Sequence, residues 1–419
     1  MLRRRRRVIP KMTMTTTSPP NSGAMGYWRI MLLGSVLALV LLPASFTAAA
    51  LPLLRSDWNA SSAAIGWVFA AYQAGYVLSV IVLLPLTDRI PIQRVIIGCS
   101  IVSSLAFLGF PFLARDVWSA AFFRFFAGIG LAGIYMPGTR VVAFAVPAEK
   151  RGLAVGAYVS AFYLGGALSL WSSGLLIARV AWPTAALILG IVASSAIPLA
   201  IYATRGTSTP PGRRGSLDMG VLRDGPVMRT ISAYTGHSWE LYVSRSWLAA
   251  FLASTLLIHG MDATSASAEG SQWAALMAGL GTPGVFLGGW LSDRMGRARA
   301  ALVIAISSGV ISLGFGFLHT SPWPLIVVVG CLLGLLMSAD SAIYSTAITE
   351  WSPPERLGSA QAFQAFIGFG GSMLAPVVAG WMLDHGSSWG ALFAVGGLFS
   401  IGMALPLIPL IGKRRLRPA

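Results

Sequence analysis

The sequence predicts an all-α polytopic membrane protein, with twelve transmembrane helices arranged as two pseudo-symmetric six-helix bundles. Three observations carry that expectation. Of the 419 residues, 55% are hydrophobic and only 11% charged, against about 25% charged in a soluble domain, so the chain cannot cover itself with a water-compatible surface. Twelve apolar runs are long enough to cross a ~30 Å hydrocarbon core, which takes about 20 helical residues. Local features recur at a spacing of 205 residues, the mark of a duplicated unit.

The first six runs lie near 30–53, 63–86, 92–113, 117–146, 152–178 and 183–204, the second six near 230–259, 270–292, 300–319, 323–348, 358–383 and 388–411. The segment YTGHSWELYVSRSW in the seventh is too polar to face lipid and is acceptable only against a wet cavity. Residues 205–229, rich in Gly, Pro and Arg, form the one long polar connection and read as a linker. The expected organisation is therefore a tail at 1–28, a bundle at 29–204, the linker at 205–229, a second bundle at 230–411 and a tail at 412–419.

Positive charge orients the array, because Lys and Arg are retained on the cytoplasmic side. One set of alternate loops and tails holds 23 of the 30 basic residues; the other holds Arg55, Arg115 and Arg179, and four lie within spans. Both termini are thus expected in the cytoplasm, and the net charge of +16 reflects loop topology, not nucleic-acid binding. The opening MLRRRRRVIPKMTMTTTSPPNS reads as a disordered tail, as a start placed too early with Met12, Met14 or Met25 the true one, or as a lipid-binding basic arm. No cleaved signal peptide is implied, since the first apolar run opens the array. Arg outnumbers Lys 27 to 3, which fits a bacterial inner membrane.

Several chemistries are excluded. Cys99 and Cys331 both lie inside apolar runs, so neither a disulfide framework nor a cysteine zinc site is expected. The only Gly-Lys pair, Gly412-Lys413, sits at the tail, so there is no phosphate-cradling loop for ATP. No H-E-x-x-H and no G-x-S-x-G occurs, and Asp384-His385 are adjacent residues that point apart on a helix. The reading is of a protein that is not an enzyme, holds no cofactor or metal, and draws its work from a gradient or from a partner; it is expected to sit in the bilayer as a monomer.

The repeat pairs Asp88-Arg89 with Asp293-Arg294, Arg151 with Arg356, and Gly165-Gly166 with Gly370-Gly371. At GGWLSDRMGRARA (288–300), Gly289, Leu291, Asp293, Arg294, Gly296, Arg297 and Arg299 resemble the loop motif of the major facilitator superfamily. RFFAGIGLAGIYMPG followed by PAEKRGLAVG is similar to the same superfamily, nearest to its anion/cation symporter and cyanate-permease-like branches. The first copy, LPLTDRIPIQR, keeps Asp88, Arg89 and Arg94 but has Leu84 and Pro91 in place of glycine. The resemblance implies alternating access, with this loop as a cytoplasmic gate. Gly289 is expected to let the eighth helix approach a neighbour, and Asp293 to be held by Arg294 in a bidentate pair. Arg297 and Arg299 are either part of that gate or plain positive-inside anchors. The strings GLAVG, GVFLG and GCLLG (152–156, 284–288, 330–334) read as packing surfaces, two of them on spans five and eight, neighbours across the bundles in this superfamily.

Ionisable side chains at membrane depth are functional candidates by default. Arg124, Arg140, His237, Glu240, Arg245 and Asp340 fall only on spans four, seven and ten, and in the major facilitator fold those helices and the first line the central cavity. Three Arg and a titratable His against two acids leave that cavity positive, which favours a small anionic solute held by guanidinium forks. Tyr135 in span four joins Arg124, Arg140, His237 and Arg245 as an expected binding residue. The competing arrangement pairs Arg140 with Asp340 and Arg245 with Glu240 as structural salt bridges. Low-dielectric burial disfavours a charged carboxylate, which makes Glu240 and Asp340 the expected proton carriers. His237, on the same face as Glu240 at i,i+3, is an alternative relay. Arg29 is expected to snorkel to the basic interface, and His259, His319 and His385 to be interfacial. Proton-coupled uptake of an anion is the leading function; proton-driven efflux and a transport-dead solute sensor are the rivals. Span five reads GAYVSAFYLGGALS, without the Gly-Pro pair of the antiporters.

Overall fold

A computed structural model describes residues 22–86, 90–147, 150–207, 217–353 and 355–412. Among them it has twelve membrane-spanning helical segments and no strand. We label these α1 (Tyr27–Ala49), α2 (Ser62–Val80), α3 (Ile92–Leu113), α4 (Val117–Phe144), α5 (Ala154–Ile177), α6 (Trp182–Ala203), α7 (Gly225–Ile258), α8 (Ala263–Met295), α9 (Arg297–Thr320), α10 (Trp323–Trp351), α11 (Leu357–Asp384) and α12 (Trp389–Leu410). Large side chains such as Met31, Val82, Leu105, Trp118 and Phe286 stand exposed on the outside, where lipid replaces water as the solvent of an apolar surface.

The same pairs pack in both halves. In the first, α2 meets α4, where a Cβ on Gly75 would collide with the Phe125 carbonyl and one on Gly128 with that of Tyr72. In the second, the equivalent pair is α8 with α10, brought together at Gly284 and Gly288 against the Leu335 and Ala339 carbonyls. The pair of α3 and α6 (Gly190 on Phe107) recurs as α9 and α12 (Gly309 on Gly397 and Ile401). This recurrence is the duplication read from the 205-residue spacing. Small residues do this work because helices in lipid gain little from hydrophobicity between them and associate through close backbone contact.

Several segments differ from the sequence reading, and mostly through capping. The seventh begins at Gly225, not 230, because the Asp224 carboxylate accepts from Val227 N. The eighth begins at Ala263, not 270, because Asp262 accepts from Thr264 N and Ser265 N. Residues 217–224 of the expected linker belong to the second bundle: Val221 packs with Ile231, Ile348 and Ala360, and Asp218 pairs with Arg356 at 2.8 Å. Arg29 donates to the Arg205 carbonyl at 3.0 Å.

Among the described residues five spans carry an internal break, α6 at Ser195 and α11 at 373–374 among them. The α1 segment unwinds over residues 42–45 around Pro43, α8 breaks at Leu280, and α10 breaks at Asp340 between Trp323–Ala339 and Ser341–Trp351. Contacts between the halves concentrate toward the face away from the basic loops. There α2 meets α11 through Gly66 on Pro376 and Gly380 on Ser62, and α5 meets α8 through Gly174 on Ala268. Midway, Tyr76 stacks edge-on against Phe369 at 5.4 Å and the Tyr163 hydroxyl donates to Ser341 Oγ at 3.0 Å.

Two of the three small-residue strings pack helices as expected, though not across the two bundles. GVFLG and GCLLG face each other's helices inside the second bundle, with Gly334 against the Met277 carbonyl, while a Cβ on Gly156 would meet nothing within 4 Å. The seam between α5 and α8 does exist, but it runs through Gly174, Ala268 and Ser271 near the other end of both helices.

Candidate functional site

Helix α7 supplies three of the ionisable groups and sends them in three directions. His237 Nδ1 lies 2.8 Å from Asp340 Oδ1, at the break in α10, and both side chains are almost fully buried. The Tyr344 hydroxyl, one turn beyond Asp340, donates to its other oxygen at 2.8 Å. Tyr234 stacks on the His237 ring at 5.9 Å, which fixes the ring between α7 and α10. Asp340 therefore sits against His237, not Arg140; Arg140 is half-buried lower on α4.

Glu240 turns the other way. Its carboxylate accepts from Ser312 Oγ at 2.5 Å and Ser308 Oγ at 3.1 Å, both on α9, and it is 3% exposed. Three residues make about 300° of helical turn, enough to aim His237 at α10 and Glu240 at α9. The shared face expected for the two is thus split between two neighbours. The alternative pair of Arg245 with Glu240 is absent for the same reason, since five residues on one helix place side chains about 140° apart.

Arg245 instead looks toward the first bundle. Its guanidinium lies 5.5 Å from the Phe162 ring centre, 5.8 Å from Tyr163 and 6.0 Å from Tyr242, and no carboxylate pairs with it among the described residues. Arg124, 4% exposed, stacks on Tyr72 at 4.2 Å and donates to the Ala44 carbonyl at 2.8 Å, an oxygen released where α1 unwinds. Its Nε has no hydrogen-bond acceptor among the described residues. A small void beside it, of about 10 Å³, is bordered by Pro43, Thr47 and Phe110. Tyr135 lies parallel to Tyr158 at 6.1 Å and tilted on Phe162 at 5.2 Å. The centre is thus walled by aromatic rings from α2, α4, α5, α7 and α10, with a guanidinium from each half that no acid among the described residues pairs.

On the basic face the pairing around Asp293 differs from the sequence expectation. Arg297, not Arg294, holds Asp293 (2.6 Å), and it also binds Glu350 (3.1 Å) and Ser292 Oγ (2.7 Å). Successive residues on a helix point apart, so Arg294 turns back and stacks on Trp290 at 3.8 Å. Arg299 is exposed. The close helix approach expected at Gly289 occurs at Gly288, since a Cβ on Gly289 would meet nothing within 4 Å. Asp88 and Arg89 lie outside the described residues.

Tyr344, Ser308, Ser312 and Glu350 were not singled out by the sequence reading. Tyr344 had a signal, being i+4 from Asp340; the serines and Glu350 had none, because their roles come from helices distant in the chain. Among the described residues no cluster of His, Cys, Asp or Glu is arranged to hold a metal, and both cysteines are free.

The chain is 25% identical to a probable sulfoacetate transporter, SauU, of Cupriavidus necator, across 84% of its own length and 87% of the relative's. It is 22% identical to the hexuronate transporter of Bacillus subtilis, across 87% and 90%. A solved bacterial homologue of the human lysosomal transporter Spinster, in an inward-facing and unoccupied conformation, superposes with a TM-score of 0.67 over 93% of this chain and 96% of that one, at 17% identity, and shows the same fold. These relatives are transporters, not enzymes. The family model of the Major Facilitator Superfamily matches residues 33–283 and 242–419, and the chain belongs to that superfamily.

Proposed function

We propose that the protein carries a small organic anion across the cell membrane by alternating access, coupled to protons and in the direction of uptake, as a monomer with both termini in the cytoplasm. The observation that carries this reading is the disposition of charge at the centre. The acids are already engaged, Asp340 by the Tyr344 hydroxyl with His237 2.8 Å away and Glu240 by two serines, whereas among the described residues no acid pairs with Arg124 or Arg245. Arg124 is buried and Arg245 half-buried; a desolvated cation without a counter-ion is costly, and an anionic solute would supply the missing charge. Arg245 faces rings of the opposite bundle, so a carboxylate or sulfonate bound there would touch both halves at once. The aromatic walls suit a solute with an apolar or planar body. That the matched relatives include transporters of a sulfonate and of uronates supports an anionic solute.

Within this reading the His237, Asp340 and Tyr344 group is the proton-handling unit, set at the point where α10 is unwound, and Glu240 is a second candidate behind it. The Arg297, Asp293 and Glu350 cluster ties α8, α9 and α10 together on the cytoplasmic side.

The test is thermal stabilisation of the purified protein across small organic anions, neutral solutes and lipophilic cations, because only a ligand favouring the folded state raises the midpoint. Stabilisation by an anion, lost in Arg245→Ala, is expected. Stabilisation by lipophilic cations, weakened in Glu240→Gln, would overturn the anion reading and indicate an exporter.

A further inference from the structure

Away from the central cavity, a carboxylate sits in a groove on the outer wall of the molecule. Glu269 lies on α8, in a groove of about 780 Å³ formed with α5 at the seam between the two bundles. The groove opens sideways: Trp171 is 48% exposed and Leu164 56%, on the surface that faces lipid. The carboxylate accepts from Trp273 Nε1 at 3.3 Å and makes no ion pair among the described residues. Gln272 lies beside it on the same wall. The break in α8 at Leu280 closes the lower end.

Depth narrows the choice of occupant. The helix starts at Ala263, capped by the exposed Asp262, six residues and about 9 Å above Glu269. At 33 residues α8 is about 50 Å long, longer than the 40–45 Å of a whole bilayer, so its end stands clear of the hydrocarbon. Glu269 then falls at the level where lipid headgroups meet acyl chains. A carboxylate and an amide oxygen both accept hydrogen bonds, which suits a cation carrying N–H donors and not a quaternary one. Two tryptophans add ring faces and edges, the lining common at membrane interfaces.

We propose that this groove binds the primary-ammonium headgroup of a phosphatidylethanolamine, with Glu269 as its counter-ion and the acyl chains lying along Leu164 and Leu276. The site straddles both bundles, so the bound lipid favours the conformer in which α5 and α8 are packed at Gly174 and Ala268.

The test is native mass spectrometry of the delipidated full-length protein in an equimolar mixture of dioleoyl phosphatidylethanolamine and dioleoyl phosphatidylcholine. The wild type should retain the ethanolamine lipid at least about fivefold over the choline lipid. Glu269→Gln should bring the ratio near one with an unchanged melting midpoint, and Glu269→Asp should keep most of the preference. Equal retention of both lipids by the wild type, or an undiminished preference in Glu269→Gln, would overturn the proposal. So would displacement of the lipid by an equimolar soluble lipophilic amine, which would make the groove a site for free amines. Loss of the preference in Glu269→Asp with intact melting would also count against a charge-based site.

Discussion

The Asp384 carboxylate, at the end of α11, accepts from the backbone N–H of Ser62 at 2.7 Å and of Ala63 at 2.8 Å, capping α2 of the other bundle. A helix N-terminus leaves N–H groups unsatisfied and carries partial positive charge, so the acid of one half completes a helix of the other. Beneath it Gly380 lies against the Ser62 carbonyl and Gly66 against Pro376. These contacts close the face away from the basic loops. For alternating access they must part.

Asp384→Ala is therefore expected to weaken this closure. An N-cap of this kind contributes about 1 kcal/mol, and exposure discounts the charge part, so the population open on that face should rise by roughly fivefold. Spin labels at Asn59 and Ser387, in a background lacking Cys99 and Cys331, would show it as a longer distance component. An unchanged distribution would remove the latch.

Asp340→Asn should uncouple transport. The variant keeps the shape of the site but lacks the charge facing His237, so accumulation driven by a pH gradient should fall to background while counterflow exchange continues. Glu240→Gln, with its amide still on Ser308 and Ser312, makes the same comparison for the second acid. Whichever variant keeps exchange but loses accumulation marks the proton carrier; loss of both activities would assign that acid to folding or solute binding.

At the basic face the two neighbouring arginines should behave differently. Arg297→Ala breaks contacts to Asp293, Glu350 and Ser292, at a cost between about 1 kcal/mol for an exposed pair and about 3 kcal/mol for a buried one. Transport should fall with expression preserved, as it should in Asp293→Asn. Arg294→Ala removes a stack on Trp290 alone and should stay within about twofold of wild type in the same uptake assay. Equal losses in both would show that net positive charge, not the pairing, matters there.

Gly288→Ala and Gly289→Ala offer a sharper pair. A methyl at 288 would strike the Ala339 carbonyl, whereas one at 289 meets nothing within 4 Å. Overpacking of this kind costs about 1–3 kcal/mol, so the melting midpoint in detergent should drop by several degrees for the first and hold for the second. The reverse order would place the tight contact where the motif alone suggested.

Much of this protein is legible in its sequence because a bilayer imposes one-dimensional rules. Span length, the asymmetry of basic loops and the 205-residue repeat each depend on residues near one another in the chain or on composition, and they yield twelve helices and two bundles. Intramembrane charge likewise marks Arg124, His237, Glu240, Arg245 and Asp340 as special, since each is expensive wherever it points. Where they point is a different matter. A rotation of about 60° along α7 sends His237 to Asp340 and Glu240 to serines on α9, one position decides whether Gly288 or Gly289 takes the close contact, and Arg297 displaces Arg294 as the partner of Asp293. Glu269 and Glu350 lay too near assumed helix ends to stand out, Asp384 was weighed only as the neighbour of His385, and the surroundings of all three come from segments far away in the chain. Direction around a helix and the identity of its neighbour are set by how helices pack, and that only the tertiary structure decided.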